Sequence, residues 1–309
     1  NPDDLLEENQ NSSFEISSPY NSQNSAYQPS IKYAFRDNDF AGILSASKGS
    51  YSELNRNTES KYINDVDGDI DSYYLKLIKT FGNTKYNITF ENLNKDATTK
   101  GSSYYKTEES LDSQQDKRES QRTRISLGFN YKSDKDKNID EFSGQIYSNV
   151  MENKSNYEKV SSGTKDNTKV DLDQEMLGGN LQIINNFKTK DTKQKLTYGV
   201  EINHNDAQRV RDVFEDDVRS AAGSYKANPD SDILKWGIYL QDEIKYKKWD
   251  LIAGIRYDAN NIDAYADDAW YRSATATFGS HADTKAAGLP ISKDFSHLTP
   301  SIAAIYKLN

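Results

Sequence analysis

Residues 236–258 read WGIYLQDEIKYKKWDLIAGIRYD. Trp236, Ile238, Leu240, Ile244 and Tyr246 are apolar, and Lys235, Tyr239, Gln241, Glu243 and Lys245 stand between them. A contrast that repeats every second residue belongs to a strand with one dry and one wet face, because successive side chains point to opposite sides. After Lys247 the chain continues as a second strand over 248–259, so the stretch is a β-hairpin with a tight turn.

The same period runs through the rest of the chain. Ile125, Leu127, Phe129 and Tyr131 alternate with Arg124, Ser126, Gly128 and Asn130. Tyr86, Ile88 and Phe90 alternate with Lys85, Asn87, Thr89 and Glu91, and Leu196, Tyr198, Val200 and Ile202 do the same against Lys195, Thr197, Glu201 and Asn203. Twelve strands are predicted, near 12–20, 27–36, 39–49, 70–80, 84–94, 120–132, 139–151, 172–188, 194–205, 233–246, 248–259 and 297–308. Several reach the roughly 9–11 residues that a tilted membrane-spanning strand needs. Their connectors alternate in length. Short ones lie at Asp37-Asn38, 81–83, 133–138, 189–193 and Lys247, and long polar ones at 50–69, 95–119, 152–171, 206–232 and 260–296. Tight turns at one rim and long loops at the other are the pattern of an outer-membrane β-barrel. A soluble β-sandwich shares the period but rarely this alternation.

Composition fits that reading. Only 35% of the 309 residues are hydrophobic and 28% are charged, with a mean hydropathy of −0.92. Such values suggest disorder, yet aromatics reach 11%, with 21 Tyr, and Pro numbers six. A barrel resolves the conflict, since only alternate residues meet lipid. Apolar runs stop at about five residues, far short of the roughly 18 a transmembrane helix requires. The lack of Cys removes disulfides and thiol chemistry. A net charge of −9 argues against a nucleic-acid partner. With no Met at position 1 and no signal peptide, the chain reads as processed or cut.

Several segments resemble TonB-dependent outer-membrane receptors. The hairpin at 236–258 is similar to that family's GxYxQDE…GxRYD hairpin, and FSHLTPSIAAIYKL at 295–308 to the strand that follows it. LTYGVE at 196–201 and FAGILSASKGSY at 40–51 resemble other barrel strands. DLL at 4–6 with Tyr20-Asn21-Ser22 resembles the exit from the family's plug domain. The pattern looks closest to the haem and haemoglobin receptors. The resemblance implies an all-β transmembrane antiparallel barrel of 22 strands, of which residues 1–309 are the first half, with the plug and TonB box outside this chain. It implies TonB-dependent uptake at the bacterial outer membrane of an iron-containing nutrient, haem or haem-protein iron, with the TonB–ExbB–ExbD complex, membrane lipid and lipopolysaccharide as partners. A siderophore or other metal-chelate receptor is the alternative, along with a passive porin or an adhesin. Twelve strands can also close as a small complete barrel, but such barrels end on an aromatic residue and this chain ends Lys307-Leu308-Asn309.

No nucleophile or acid–base set with a recognisable context is present, so no enzymatic activity is expected. His281 in the longest loop and His204 at the outer end of its strand are candidate ligand contacts, because neutral imidazole binds iron and other transition metals. His297, at the opening of a strand, ranks below them. Tyr265 and Tyr271 are candidate stacking partners for a planar ligand. Asp65, Asp67, Asp69 and Asp71 in NDVDGDID are candidate Ca²⁺ ligands, being hard oxygen donors in quick succession. Lys76, Arg124, Gln145, Glu201, Lys235, Glu243 and Arg256 share the polar face, and by the resemblance that face rests against the plug. Arg256, Asp258 and Glu243 are the expected plug-facing residues of the lumen.

Overall fold

The computed structural model describes residues 2, 5–7, 9–52, 65–100, 111–133, 139–219, 226, 228–267, 270 and 292–307. Among the described residues fifteen strands form one antiparallel sheet. They are β1 (Ser12–Ser17), β2 (Tyr20–Asn21), β3 (Ala26–Tyr27), β4 (Ser30–Asp37), β5 (Phe40–Ser52), β6 (Asp65–Phe81), β7 (Thr84–Lys100), β8 (Leu111–Lys132), β9 (Glu141–Ser161), β10 (Thr164–Lys188), β11 (Thr192–Glu215), β12 (Val218–Arg219), β13 (Asp230–Tyr246), β14 (Trp249–Tyr265) and β15 (Lys293–Tyr306). Twelve of them follow one another in chain order from β1 to β15; β2, β3 and β12 are short flanking pieces. The twelve match the predicted strands in order. β1 pairs with β4 and β15 with β14, leaving these two as the sheet's edges rather than the seam of a small closed barrel.

The twelve strands are longer than alternation alone suggests. Residues 152–171, expected to be a solvated loop, are the paired ends of β9 and β10, joined by the two-residue turn Ser162-Gly163. Both turn residues have positive φ, 51° and 83°, as a type I′ hairpin demands. Residues 206–215 likewise continue β11, and Asp216 and Asp217, at φ 49° and 63°, turn the chain into β12. The cause of the mismatch is physical. An apolar–polar contrast exists only where one face meets lipid; past the hydrocarbon layer both faces are wet and the strand continues without it.

Register sorts the side chains into two faces. Ile88 opposes Leu127, Leu127 opposes Ile146, Ile202 opposes Trp236, Ile238 opposes Tyr257 and Ile255 opposes Pro300. These rows form an exposed apolar band, with Ile238 at 50% and Ile146 at 61% exposure. Large apolar groups left open in such rows are suited to lipid, not water. Aromatic pairs line the short-turn rim: Phe81 with Tyr86 at 6.4 Å, Phe129 with Phe142 at 4.9 Å and Trp249 with Tyr306 at 4.9 Å between centroids. Amphipathic rings settle at such a lipid–water boundary. Tight turns on this rim use Asn38, Gly82 and Lys247 at φ 48°, 51° and 52°.

The opposite face is polar, and near the short-turn end it is covered by the start of the chain. Leu6 is buried against Ala34 and Ile43, with Leu5 and Tyr74 beside them. Ala34 and Ile43 are cross-strand partners on the face opposite the apolar band. At the far rim Lys226, 4% exposed, bridges Asp230 at 2.6 Å and Asp267 at 2.7 Å. Burial draws its pKa down, but the bonds and charges of the two carboxylates outweigh this and hold it above the ordinary lysine value.

Two outcomes are expected. Ile238→Lys places an ammonium in lipid and lowers stability by about 2–4 kcal/mol, whereas Gln241→Lys, beside Glu243 on the inner face, changes it by less than about 1 kcal/mol; urea titration from bilayers measures both. Lys226→Met leaves two carboxylates without their cation and costs about 1–3 kcal/mol locally, read as faster hydrogen exchange near Asp230. Because the Lys226 pKa is raised on folding, the clamp is complete below about pH 10.4 and fails only as pH climbs through the raised value.

Candidate functional site

The inner wall is built from alternate residues whose neighbours face lipid. Counting along the register, Lys76, Arg124, Gln145, Glu201, Lys235, Glu243 and Arg256 all stand on this polar face, as does Asp258. The guanidinium of Arg256 is the centre of a network. Its Nε donates to Asp258 Oδ1 and Oδ2 at 2.8 and 2.9 Å, and its Nη2 donates to Glu201 Oε2 at 3.2 Å. Its Cζ lies 5.9 Å from the centre of the Tyr239 ring. Tyr239 in turn donates its hydroxyl to Gln182 Oε1 at 2.9 Å. A second group lies nearer the short turns, where Glu243 Oε1 takes Gln241 Nε2 at 3.0 Å and Lys195 Nζ at 3.4 Å. Arg256, Tyr239, Gln182, Gln241, Glu243 and Lys195 border a recess of about 480 Å³.

One device recurs on this face three times. Tyr51 lies across Gly68, Tyr147 across Gly178 and Tyr239 across Gly199, each pair being direct cross-strand partners. A Cβ on Gly178 would sit 2.5 Å from the Tyr147 ring, and one on Gly199 2.6 Å from the Tyr239 hydroxyl, so only glycine lets the rings lie flat. A cation then rests over each ring: Lys95 at 5.1 Å from Tyr51, Arg124 at 4.8 Å from Tyr147 and Arg256 over Tyr239. Asn203 Nδ2 fixes Tyr147 by donating to its hydroxyl at 2.9 Å. Each stack holds a positive charge at a set height above the wall, with a contribution of about 0.5–1 kcal/mol from the ring when exposed. Sequence reading found Arg124 and Arg256 by parity but not the stacks, because ring, glycine and cation come from different strands.

Other candidates lie elsewhere. His204 opposes Leu177 and Leu234, which puts it on the outward face, where its Nε2 is 3.3 Å from Asp232 Oδ1. Tyr265 is also outward and donates to Asp232 Oδ2 at 3.2 Å. That bond, aided by slight burial and the nearby carboxylates, raises its pKa. Neither side chain reaches the inner recess. His297, ranked lowest, is on the inner wall: β15 opens four residues earlier, and its Nε2 is 3.7 Å from Asp258 Oδ2. Asp65, Asp67, Asp69 and Asp71 are not a loop but alternate positions of β6, on the face shared with Tyr73. Strand spacing spreads their carboxylates in a line. Among the described residues no three or more His, Asp or Glu side chains gather in a geometry that holds a metal. His281 and Tyr271 lie outside the described residues.

Comparison with known proteins agrees with this architecture. The ferric citrate transporter FecA in its unliganded form superposes with a TM-score of 0.58 at 14% identity, covering 96% of this chain and 41% of that one. The hemophore receptor HasR of Serratia marcescens, in complex with its hemophore HasA and heme, gives 0.63 at 12%, covering 98% and 43%. The siderophore receptor PiuA of Acinetobacter baumannii gives 0.55 at 11%, covering 97% and 47%. The chain therefore spans less than half the length of these structures. No curated protein sequence matches it. The family model described as "TonB dependent receptor-like, beta-barrel" matches residues 61–309. This chain, with its antiparallel wall, lipid-facing rows and polar lumen, belongs to the TonB-dependent receptor β-barrel family.

Proposed function

We propose that this chain is the first half of the barrel of an outer-membrane receptor that imports an iron-containing nutrient with energy relayed by TonB, ExbB and ExbD. The family match over residues 61–309 carries the reading. Leu6 packs on the inner side of the wall at Ala34 and Ile43, so this face of the wall takes apolar contacts from a segment laid against it, as it would from a plug. The wall does no covalent chemistry. It offers fixed charges and hydrogen-bonding groups against which a plug can rest and be released. Arg256, Asp258 and Glu243 are the proposed contacts, being polar, partly exposed and held by neighbours on the wall itself.

The cargo class is an iron complex, haem or a ferric chelate. Receptors for ferric citrate, for a siderophore and for a heme-loaded hemophore share this wall architecture, and haem is the form favoured by the sequence resemblance. A passive porin is the second reading.

Deleting the receptor gene, or the TonB gene, should abolish growth on the cognate complex, haem or a ferric siderophore, as sole iron source. Unchanged growth in a strain without another iron receptor would overturn the reading. Steady open-channel conductance of the intact receptor in planar bilayers would favour the porin instead. Arg256→Ala should leave surface binding of radio-iron complex intact while reducing its uptake, by about tenfold if one charge-assisted contact is lost.

A further inference from the structure

Above the apolar band β7 to β11 continue together, and parity biases their charges: acids outnumber the lysines Lys117, Lys154 and Lys169 on the outward side, and cations outnumber acids on the inward side. On the outward side carboxylates face one another across strands: Asp69 opposes Asp96, Asp96 opposes Glu119, Glu175 opposes Asp206, Asp206 opposes Asp232 and Asp232 opposes Asp263. Like charges placed directly opposite are unfavourable, and these two rows, the first ending where Lys154 opposes Glu119, give this surface a net negative potential. On the inward side of the same strands stand Lys95, Arg118 and Arg209, around a recess of about 620 Å³ that also contains Tyr51 and Leu172.

Two acids lie near that recess: Glu119 borders it from the outward row, and Asp116 is held by its neighbours. Asp116 Oδ2 accepts from Arg118 Nε at 2.8 Å and lies 2.7 Å from its Nη2, and Asp116 Oδ1 accepts from Ser155 Oγ at 2.9 Å. Arg118 nevertheless keeps 71% of its side chain exposed. Lys95 rests on the Tyr51 ring, which Gly68 supports. Among the described residues neither Lys95 nor Arg209 has a carboxylate within 4 Å. Lys95 on β7 and Arg209 on β11 occupy one row, through Ser120, Asn153 and Leu172. Four strand spacings, about 19 Å, separate their backbones. Two long side chains reaching inward from that distance leave a gap matched to a compact metal chelate, over a floor of neutral polar and apolar groups.

We infer that this recess binds the anionic groups of the imported complex, so that the receptor takes a carboxylate-bearing iron complex, a ferric polycarboxylate or haem through its propionates, and not a neutral chelate. The inference rests on the uptake reading and narrows it. The outward carboxylates repel the same ligand and the inward cations attract it, which directs capture to the lumen side of the wall.

The test uses the receptor produced from its complete gene, titrated in detergent by tryptophan fluorescence with three probes: ferric citrate, haem and a neutral ferric trihydroxamate. One of the two anionic probes is expected to bind, with affinity falling as salt is raised. The Lys95→Gln/Arg209→Gln pair, both exposed, should weaken that binding by about tenfold or more, and Arg209→Lys should restore part of it. Binding of ferric citrate separates the polycarboxylate from haem as the source of the charge. Preference for the neutral probe, or an unchanged affinity in the double variant, overturns the inference and leaves the uptake reading standing. If no iron complex of either charge binds, both fall.

Discussion

Every backbone N–H and C=O that crosses lipid must find its partner within the protein, since no water is present to supply one. In this chain that demand is met by ladders running without a break through twelve strands from β1 to β15. Pairing fixes the side-chain period at two, and the period divides each strand into a lipid-facing row and a lumen-facing row. The low mean hydropathy, the lack of long apolar runs and the alternation in 236–258 are consequences of this one requirement.

The requirement also decides what could be read in advance. Strand order, the tight turns and the two faces were legible because lipid imposes a visible contrast on neighbours such as Tyr239 and Leu240. The upper halves of β9, β10 and β11 were not, because water on both sides lets Thr, Lys and Asp occupy either face. A turn signal was still available in Ser162-Gly163, whose positive φ angles mark a hairpin where the polar composition suggested a loop. Parity could equally have placed His204. It continues the series Val200, Ile202 and so belongs to the lipid-side row, as Asp65 to Asp71 continue the series of Tyr73.

The stacks of glycine, tyrosine and cation lay beyond that reach. Gly68, Tyr51 and Lys95 occupy three adjacent strands, and their contact depends on register rather than on any local pattern. Glycine within a strand weakens it by removing side-chain packing. A tyrosine laid over the gap recovers that area and presents its ring face to a cation. Three repeats of the arrangement give a lumen wall whose positive charges are braced from beneath instead of floating on flexible stems. A wall meant to hold and release another surface gains from such bracing, because fixed charges lose less freedom on contact.

Net charge read from the sequence was informative in sign but blind to side. The value of −9 averages over a wall whose outward rows above the band are acidic and whose inward rows carry Lys95, Arg118 and Arg209. Two surfaces a strand's thickness apart therefore present opposite potentials to anything approaching. The period of two that satisfies the backbone is what makes this possible, since a charge placed one position further along the strand stands on the other side of the wall. Selectivity of the lumen and compatibility with the outer leaflet can then be adjusted in alternate residues of the same strand.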